Sequence, residues 1–220
     1  MSVRKSRFVE MLKEFEEEVV LTRLEDIVEA NRPITYGIVK PGQNVDGGVP
    51  IVKVKDFPSG VILTNDLLYA SPEIESKYER SRLLPGDLLF SIRGSVGRMA
   101  FVPEELEGAN LTQDTARLTI RSEFDPIYIR GVLSLPQVGE WITKHIRGVA
   151  MQGVNLADLR KLEVPILSNE HQRELRAFVA QVDKSEYLRP NCAVGFTMPR
   201  KSGLDRHRSY GSYLFGRQCL

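Results

Sequence analysis

Arg93-Gly94-Ser95-Val96-Gly97-Arg98 is the stretch whose residue types and spacing come closest to a chemical purpose. Glycines at i and i+3 tolerate left-handed backbone and let N–H groups approach a phosphate, while the flanking arginines add charge and paired donors. A polyanion suits that combination. A Gly-x-x-Gly segment between two apolar runs is also simply a tight turn, and the residues alone leave both readings open. Other polar side chains suited to nucleic acid follow: Thr112 and Gln113, Lys144 and Arg147, then Gln152 with Asn155. Arginine pairs with guanine O6/N7, Asn and Gln with adenine N6/N7, and lysine with phosphate. Together with Arg93, Ser95 and Arg98, these are the candidate contacts to such a polyanion.

Groups for catalysis are not assembled in the same way. An Asn/Asp-Pro-Pro-Tyr/Phe motif for amino-methylation of a base is missing, as is a Gly-x-Gly cofactor loop after a strand, which argues against autonomous methyl transfer. Gly-x-Ser-x-Gly is missing too, and Gly94–Gly97 lacks the lysine of a nucleotide-binding P-loop. A nuclease of the two-carboxylate-plus-lysine type can be drawn only on Asp66 with Glu75 and Lys77, in a polar loop. His145, His171 and His207 are scattered and make no metal-ligand spacing. No catalytic residue and no metal site is assigned.

The elements that must position these residues read as follows. Residues 4–20 suggest an amphipathic helix carrying Phe8, Met11, Leu12, Phe15 and Val19. Strands are expected at Val49–Val54, Gly60–Leu63, Leu88–Ile92, Arg98–Val102 and Thr115–Ile120. In the last of these, Ala116, Leu118 and Ile120 would face inward and Thr115, Arg117 and Thr119 outward. Asp125-Pro126 opens a helix with a capping oxygen and an N1 proline; Pro136 breaks the pattern, and a second helix runs through Val138, Trp141, Ile142 and Ile146 to Gly148. Asn155 starts a short helix, Leu162–Ile166 closes as a strand, and a last helix begins at Ser168 or Asn169, where Asn169 with Gln172 resembles a capping box. Leu175, Phe178, Val179 and Val182 then recur as a narrow apolar stripe. A strand directly after Gly97 argues against an RNA-binding Gly-x-x-Gly loop, which needs a helix there.

Composition narrows the class. The 220 residues are 42% hydrophobic and 27% charged, ordinary values for a globular protein. No apolar run of about 18 residues is present, and acids from Glu10 to Glu18 interrupt any leader-like core, so a cytoplasmic, non-membrane protein is expected. The net charge is +1. Residues 189–220 hold six Lys/Arg against one Asp, a balance of +5, which leaves −4 for residues 1–188. An acidic body binds DNA only through a clustered basic face or with phosphate contacts supplied by partners. Both cysteines, Cys192 and Cys219, lie in that last stretch, so no disulfide framework or thiolate metal site is expected in the body.

An ordered series of blocks carries a further identification. Arg32-Pro33-Ile34-Thr35-Tyr36-Gly37-Ile38 and Gly48–Val54 come first, then Pro85-Gly86-Asp87-Leu88-Leu89-Phe90-Ser91 with Arg93–Gly97. Ala109-Asn110-Leu111-Thr112-Gln113, Gln152-Gly153-Val154-Asn155, Leu159–Ile166 and Glu170-His171-Gln172 follow. Their order and spacing over residues 20–188 resemble the target recognition domain of the specificity subunit of type I restriction–modification enzymes.

That resemblance implies an α/β (α+β) domain with a mixed or antiparallel sheet and flanking helices. The N-terminal helix would take residues 1–20, the recognition domain 21–167, and the start of a long C-terminal spacer helix 168–188. Residues 189–220 would be a poorly ordered tail, native or frameshift-derived. It also implies a non-catalytic subunit that reads one half of a bipartite double-stranded DNA target. Methyltransferase subunits and a restriction motor subunit would dock on it. S-adenosylmethionine, ATP and Mg would belong to those partners, and this chain would bind none. Gln113, Gln152 and Asn155 lie in blocks shared by proteins that read different targets, which favours base contacts from residues 53–80 and 121–147. One recognition domain leaves two outcomes: a homodimer paired through Leu175, Phe178, Val179 and Val182, or a truncated remnant or decoy that binds methyltransferase subunits. A stand-alone nuclease is the third reading.

Overall fold

The computed structural model describes residues 3–148 and 152–176. Helix α1 (Val3–Glu14) leads through a 3-10 turn at Glu16–Glu18 into β1 (Val20–Arg23). Then come β2 (Thr35–Tyr36), β3 (Val49–Val52), β4 (Leu68–Ala70) and a single helical turn, α2 (Pro72–Glu75). Strands β5 (Leu88–Ser91), β6 (Met99–Phe101), β7 (Asn110–Leu111) and β8 (Thr115–Leu118) follow. Helices α3 (Pro126–Leu133), α4 (Pro136–His145) and α5 (Leu156–Arg160), then β9 (Glu163–Ile166), precede helical turns over residues 169–176. The fold is mixed α/β. Among the described residues no helix is long and apolar enough to cross a membrane.

Among these residues the strands form three sheets. An antiparallel sheet runs β2-β8-β5-β6, a mixed sheet runs β4-β3-β7, and β1 pairs antiparallel with β9 so that Val20 lies opposite Ile166. The run Leu88-Leu89-Phe90 is apolar without alternation because β5 is covered on both faces. Leu88 and Phe90 join the larger core with Leu118, Ile129 and Val132, whereas Leu89 joins Val52, Phe57 and Leu111. Asp125 caps α3 as its sequence indicates, its Oδ1 accepting the N–H groups of Ile127 (2.9 Å) and Tyr128 (3.1 Å).

Four expectations change. Residues 60–63 form no strand; Leu63 is held by one hydrogen bond to the Asp56 carbonyl, and β4 provides the partner of β3 instead. Strand β8 is buried on both faces because it lies between β2 and β5, so Arg117, read as outward, is 1% exposed. Gln172 does not close a capping box on Asn169. Its amide donates to the Leu167 carbonyl (2.8 Å) and accepts the Asp125 N–H (2.9 Å), pinning residues 169–176 to the start of α3. Leu175, assigned to a helix-pairing stripe, is fully buried in this chain's own core and so is not available to a partner. Phe178, Val179 and Val182, with the rest of the expected spacer and tail, lie outside the described residues.

Candidate nucleic-acid interface

The glycine turn joins β5 to β6 and is organised by Ser91. The Ser91 N–H donates to the Arg98 carbonyl (2.9 Å) and its carbonyl accepts the Gly97 N–H (3.0 Å). Its hydroxyl donates to the Ser95 carbonyl (2.5 Å) and accepts the Arg98 N–H (2.8 Å). Gly94 and Gly97 have φ of 70° and 90°, the left-handed region that side chains disfavour. The Gly94 N–H points to the Gln152 carbonyl (3.2 Å) and the Val96 N–H to Gly94 (3.0 Å). These N–H groups are therefore engaged inside the protein and do not form the phosphate cradle that the glycine spacing suggested. The turn offers side chains instead: Arg93, Ser95 and Arg98.

Two distant segments close on its base. Asp114 O accepts the N–H groups of Ile92 (2.8 Å) and Arg93 (3.2 Å), and Ile92 O accepts that of Val154 (2.8 Å). Gly153 bridges to both Arg93 and Arg147, exchanging two hydrogen bonds with the latter (2.9 and 3.0 Å). A Cβ on Gly153 would lie 2.7 Å from Arg93 Cγ and from Ile92 O, so only glycine permits this approach. Ile142 of α4 packs under Gly97, which sets the end of α4 beside the turn.

Arg93, Ser95, Arg98, Lys144, Arg147 and Gln152 are thus exposed or half-exposed, with Arg93, Arg147 and Gln152 in one cluster. The other candidates have internal tasks. Thr112 is buried, its N–H bonded to Val52 O (3.1 Å), and Gln113 is half-buried with its N–H on Ile38 O (3.0 Å). Asn155 caps α5 through the Ala157 N–H (3.0 Å). The sequence reading missed Asp114, whose Oδ1 lies 4.0 Å from Arg93 Nη1, and Asp158, whose Oδ2 lies 3.6 Å from Arg147 Nη2. No local signal marks an acid that will meet an arginine from another segment.

At the other end of β5 lies a polar frame. Arg32 bonds Asp87 Oδ2 (2.8 Å) and the Arg82 carbonyl (3.0 Å), while Asp87 Oδ1 accepts the Thr119 hydroxyl. Arg82 grips Glu75 with two 2.7 Å bonds, and those bonds, aided by Asn110, hold the Glu75 carboxyl below the usual carboxylate range. Glu75 is therefore unavailable as a nuclease ligand, and Asp66 pairs on the surface with Lys55 (3.3 Å). Among the described residues no three His, Cys, Asp or Glu side chains converge on a metal-sized site. Elsewhere, an apolar groove of about 570 Å³ opens between α1, β1, β9 and α4, lined by Val9, Leu12, Val19, Leu21, Val138 and Trp141. Beside it Val20 and Leu21 are 64% and 63% exposed.

Comparison with known proteins places this architecture. The sequence profile of the family described as type I restriction modification DNA specificity domain matches residues 16–189. The chain is 32% identical over 162 residues to the type I restriction enzyme EcoBI specificity subunit of Escherichia coli, covering 73% of this chain and 34% of that one. It spans about a third of the curated relative that it matches. The HsdS subunit of Thermoanaerobacter tengcongensis has a similar fold, with a TM-score of 0.56 at 18% identity over 84% of this chain and 45% of that one. A chain from a structure of a type I R-M system gives the same TM-score and identity, over 84% of this chain and 46% of its own length.

Proposed function

Since the chain belongs to the type I restriction–modification DNA specificity family, we propose that it recognises one half of a bipartite double-stranded DNA target and docks the methyltransferase subunits that modify it. On this reading the chain contributes recognition and no chemistry. S-adenosylmethionine would be held by the methyltransferase, and ATP with Mg by the restriction motor. The observation that carries it is the grouping of Arg93, Arg147 and Gln152 around Gly153, beside Arg98 and Lys144, on a chain whose first 188 residues are net acidic. A local basic face of that kind is what phosphate contacts require.

The frame supports a division of labour. Arg32, Asp87 and Asn110, all in blocks that carry the family resemblance, have their side chains engaged in holding loops together. Base reading would then fall to residues 53–80 and 121–147, with the arginine cluster gripping phosphate.

The test uses the full chain co-purified with its methyltransferase subunit. Replacing Arg93, Arg98, Lys144 and Arg147 together by alanine should weaken duplex binding by about 100-fold or more. It should also flatten the plot of log affinity against log salt by roughly 0.9 per lost phosphate contact. Unchanged affinity and slope would remove this face from the reading.

For the protein partner, the apolar groove and the exposed Val20 and Leu21 are the supporting feature. Leu21→Glu places a charge at a solvent-facing position, so folding should be preserved while co-purification with the methyltransferase subunit falls at least roughly tenfold. Retention of the partner at wild-type levels would exclude the groove as the docking surface.

A further inference from the structure

The arginines of this chain pair with acids in two different ways. Frame arginines are closed: Arg82 to Glu75 at 2.7 Å twice, and Arg32 to Asp87 at 2.8 Å. Cluster arginines are open: Arg93 to Asp114 at 4.0 Å and Arg147 to Asp158 at 3.6 Å. Open spacing is beyond hydrogen-bond reach, so only Coulombic attraction acts. Asp114 Oδ1 is shielded from solvent and accepts no hydrogen bond. It is a buried anionic oxygen facing a guanidinium that it does not quite reach.

Arg93 is fixed everywhere except at its head. Its N–H is bound by Asp114 O, its backbone bridges Gly153, and its stem lies where a Gly153 side chain would have to be. The Arg93 side chain is 40% exposed and that of Asp114 34%. A phosphate arriving from solvent can give this guanidinium two parallel hydrogen bonds that Asp114 does not make.

Resting on the DNA-binding reading above, we propose that Asp114 and Asp158 are built-in stand-ins for DNA phosphates. Each holds its arginine at the surface in the free protein and yields it when a phosphate arrives. They thereby lower affinity for duplex of every sequence by a similar factor. The carboxylates act through the arginines and are positioning residues, without contact to a base.

The experiment measures binding of the methyltransferase-bound full chain to two short duplexes of unrelated sequence at one salt concentration. Asp114→Asn with Asp158→Asn should tighten binding to both, by roughly tenfold for two such charges removed near the phosphate backbone. The gain should vanish when Arg93→Ala and Arg147→Ala are also present, a coupling that a purely structural role would not produce. Unchanged or weaker binding by the double Asn variant overturns the proposal and leaves DNA recognition standing. A gain that persists without the arginines overturns it too, since the carboxylates would then act only as general repulsion. A wild-type complex that binds neither duplex overturns both readings.

Discussion

Arg117→Met is expected to lower the thermal unfolding midpoint by roughly 10 °C. Arg117 donates to the carbonyls of Arg80 (2.8 Å), Arg82 (3.1 Å) and Pro33 (3.2 Å), which would be left without these donors. The Arg82 carbonyl keeps its Arg32 donor, so the part-buried carbonyls of Arg80 and Pro33 are the acceptors left unpaired; at about 1–3 kcal/mol for each, a loss of about 2–6 kcal/mol follows even though methionine fills most of the volume. Burial, with Arg32 alongside, pulls the Arg117 pKa down to about 10, and Asp87 opposes the shift. The side chain is still charged at neutral pH. Because its folded value lies below the unfolded one, burying the charge costs stability below pH 10, a cost relieved only as pH rises through about 10. Arg117→Lys should not restore stability, since an ammonium lacks the planar fork that reaches three carbonyls. A midpoint within a degree or two of wild type would show that the carbonyls find other donors.

Gly37→Ala should be comparably damaging for a different reason. A Cβ there would lie 1.8 Å from the Leu111 carbonyl oxygen and 2.5 Å from its carbon. That oxygen accepts the Ile38 N–H (2.7 Å), and Leu111 is registered against Val52, so the backbone on the far side is anchored. About 3 kcal/mol or more is the expected loss, read as a lower urea midpoint at constant m-value. Gly108→Ala is the control. Gly108 has φ of 78° with open space where its Cβ would go, so only conformational strain of about 1 kcal/mol applies. Equal losses at the two sites would refute the steric account.

What could be read from sequence depended on how local each signal was. Asp125-Pro126 and Asn155 start helices through hydrogen bonds within three residues of themselves, and both are visible as motifs. The glycine turn is equally local, although the direction of its N–H groups depends on Gln152 and Ser91. Arg117 could not be placed, because its surroundings follow from the strand order β2-β8-β5-β6 and no periodicity encodes that order. Alternation along β8 suggested one wet face where there are two dry ones. Leu175 failed similarly: a stripe shows that a helix buries one side, and against what is decided by tertiary structure. Of the candidate site, the arginines were legible as chemistry, whereas the carboxylates opposite them were not.

The pairing of β1 with β9 has a mechanical consequence. The chain enters β1 at Val20 and leaves β9 at Ile166, and these two residues face each other at the same end of the ladder. Tension pulling the flanking segments apart therefore loads the hydrogen bonds one rung at a time, as in opening a zipper, instead of shearing all rungs together. The contact of His171 with Phe15 (ring centroids 3.9 Å apart) and Glu18 (3.1 Å) stands just ahead of the first rung and would part before it. The first rungs to part carry Ile166 and Val164, which share a core with Leu88, Phe90 and Leu118, so the load passes from this ladder to the packing under the four-stranded sheet.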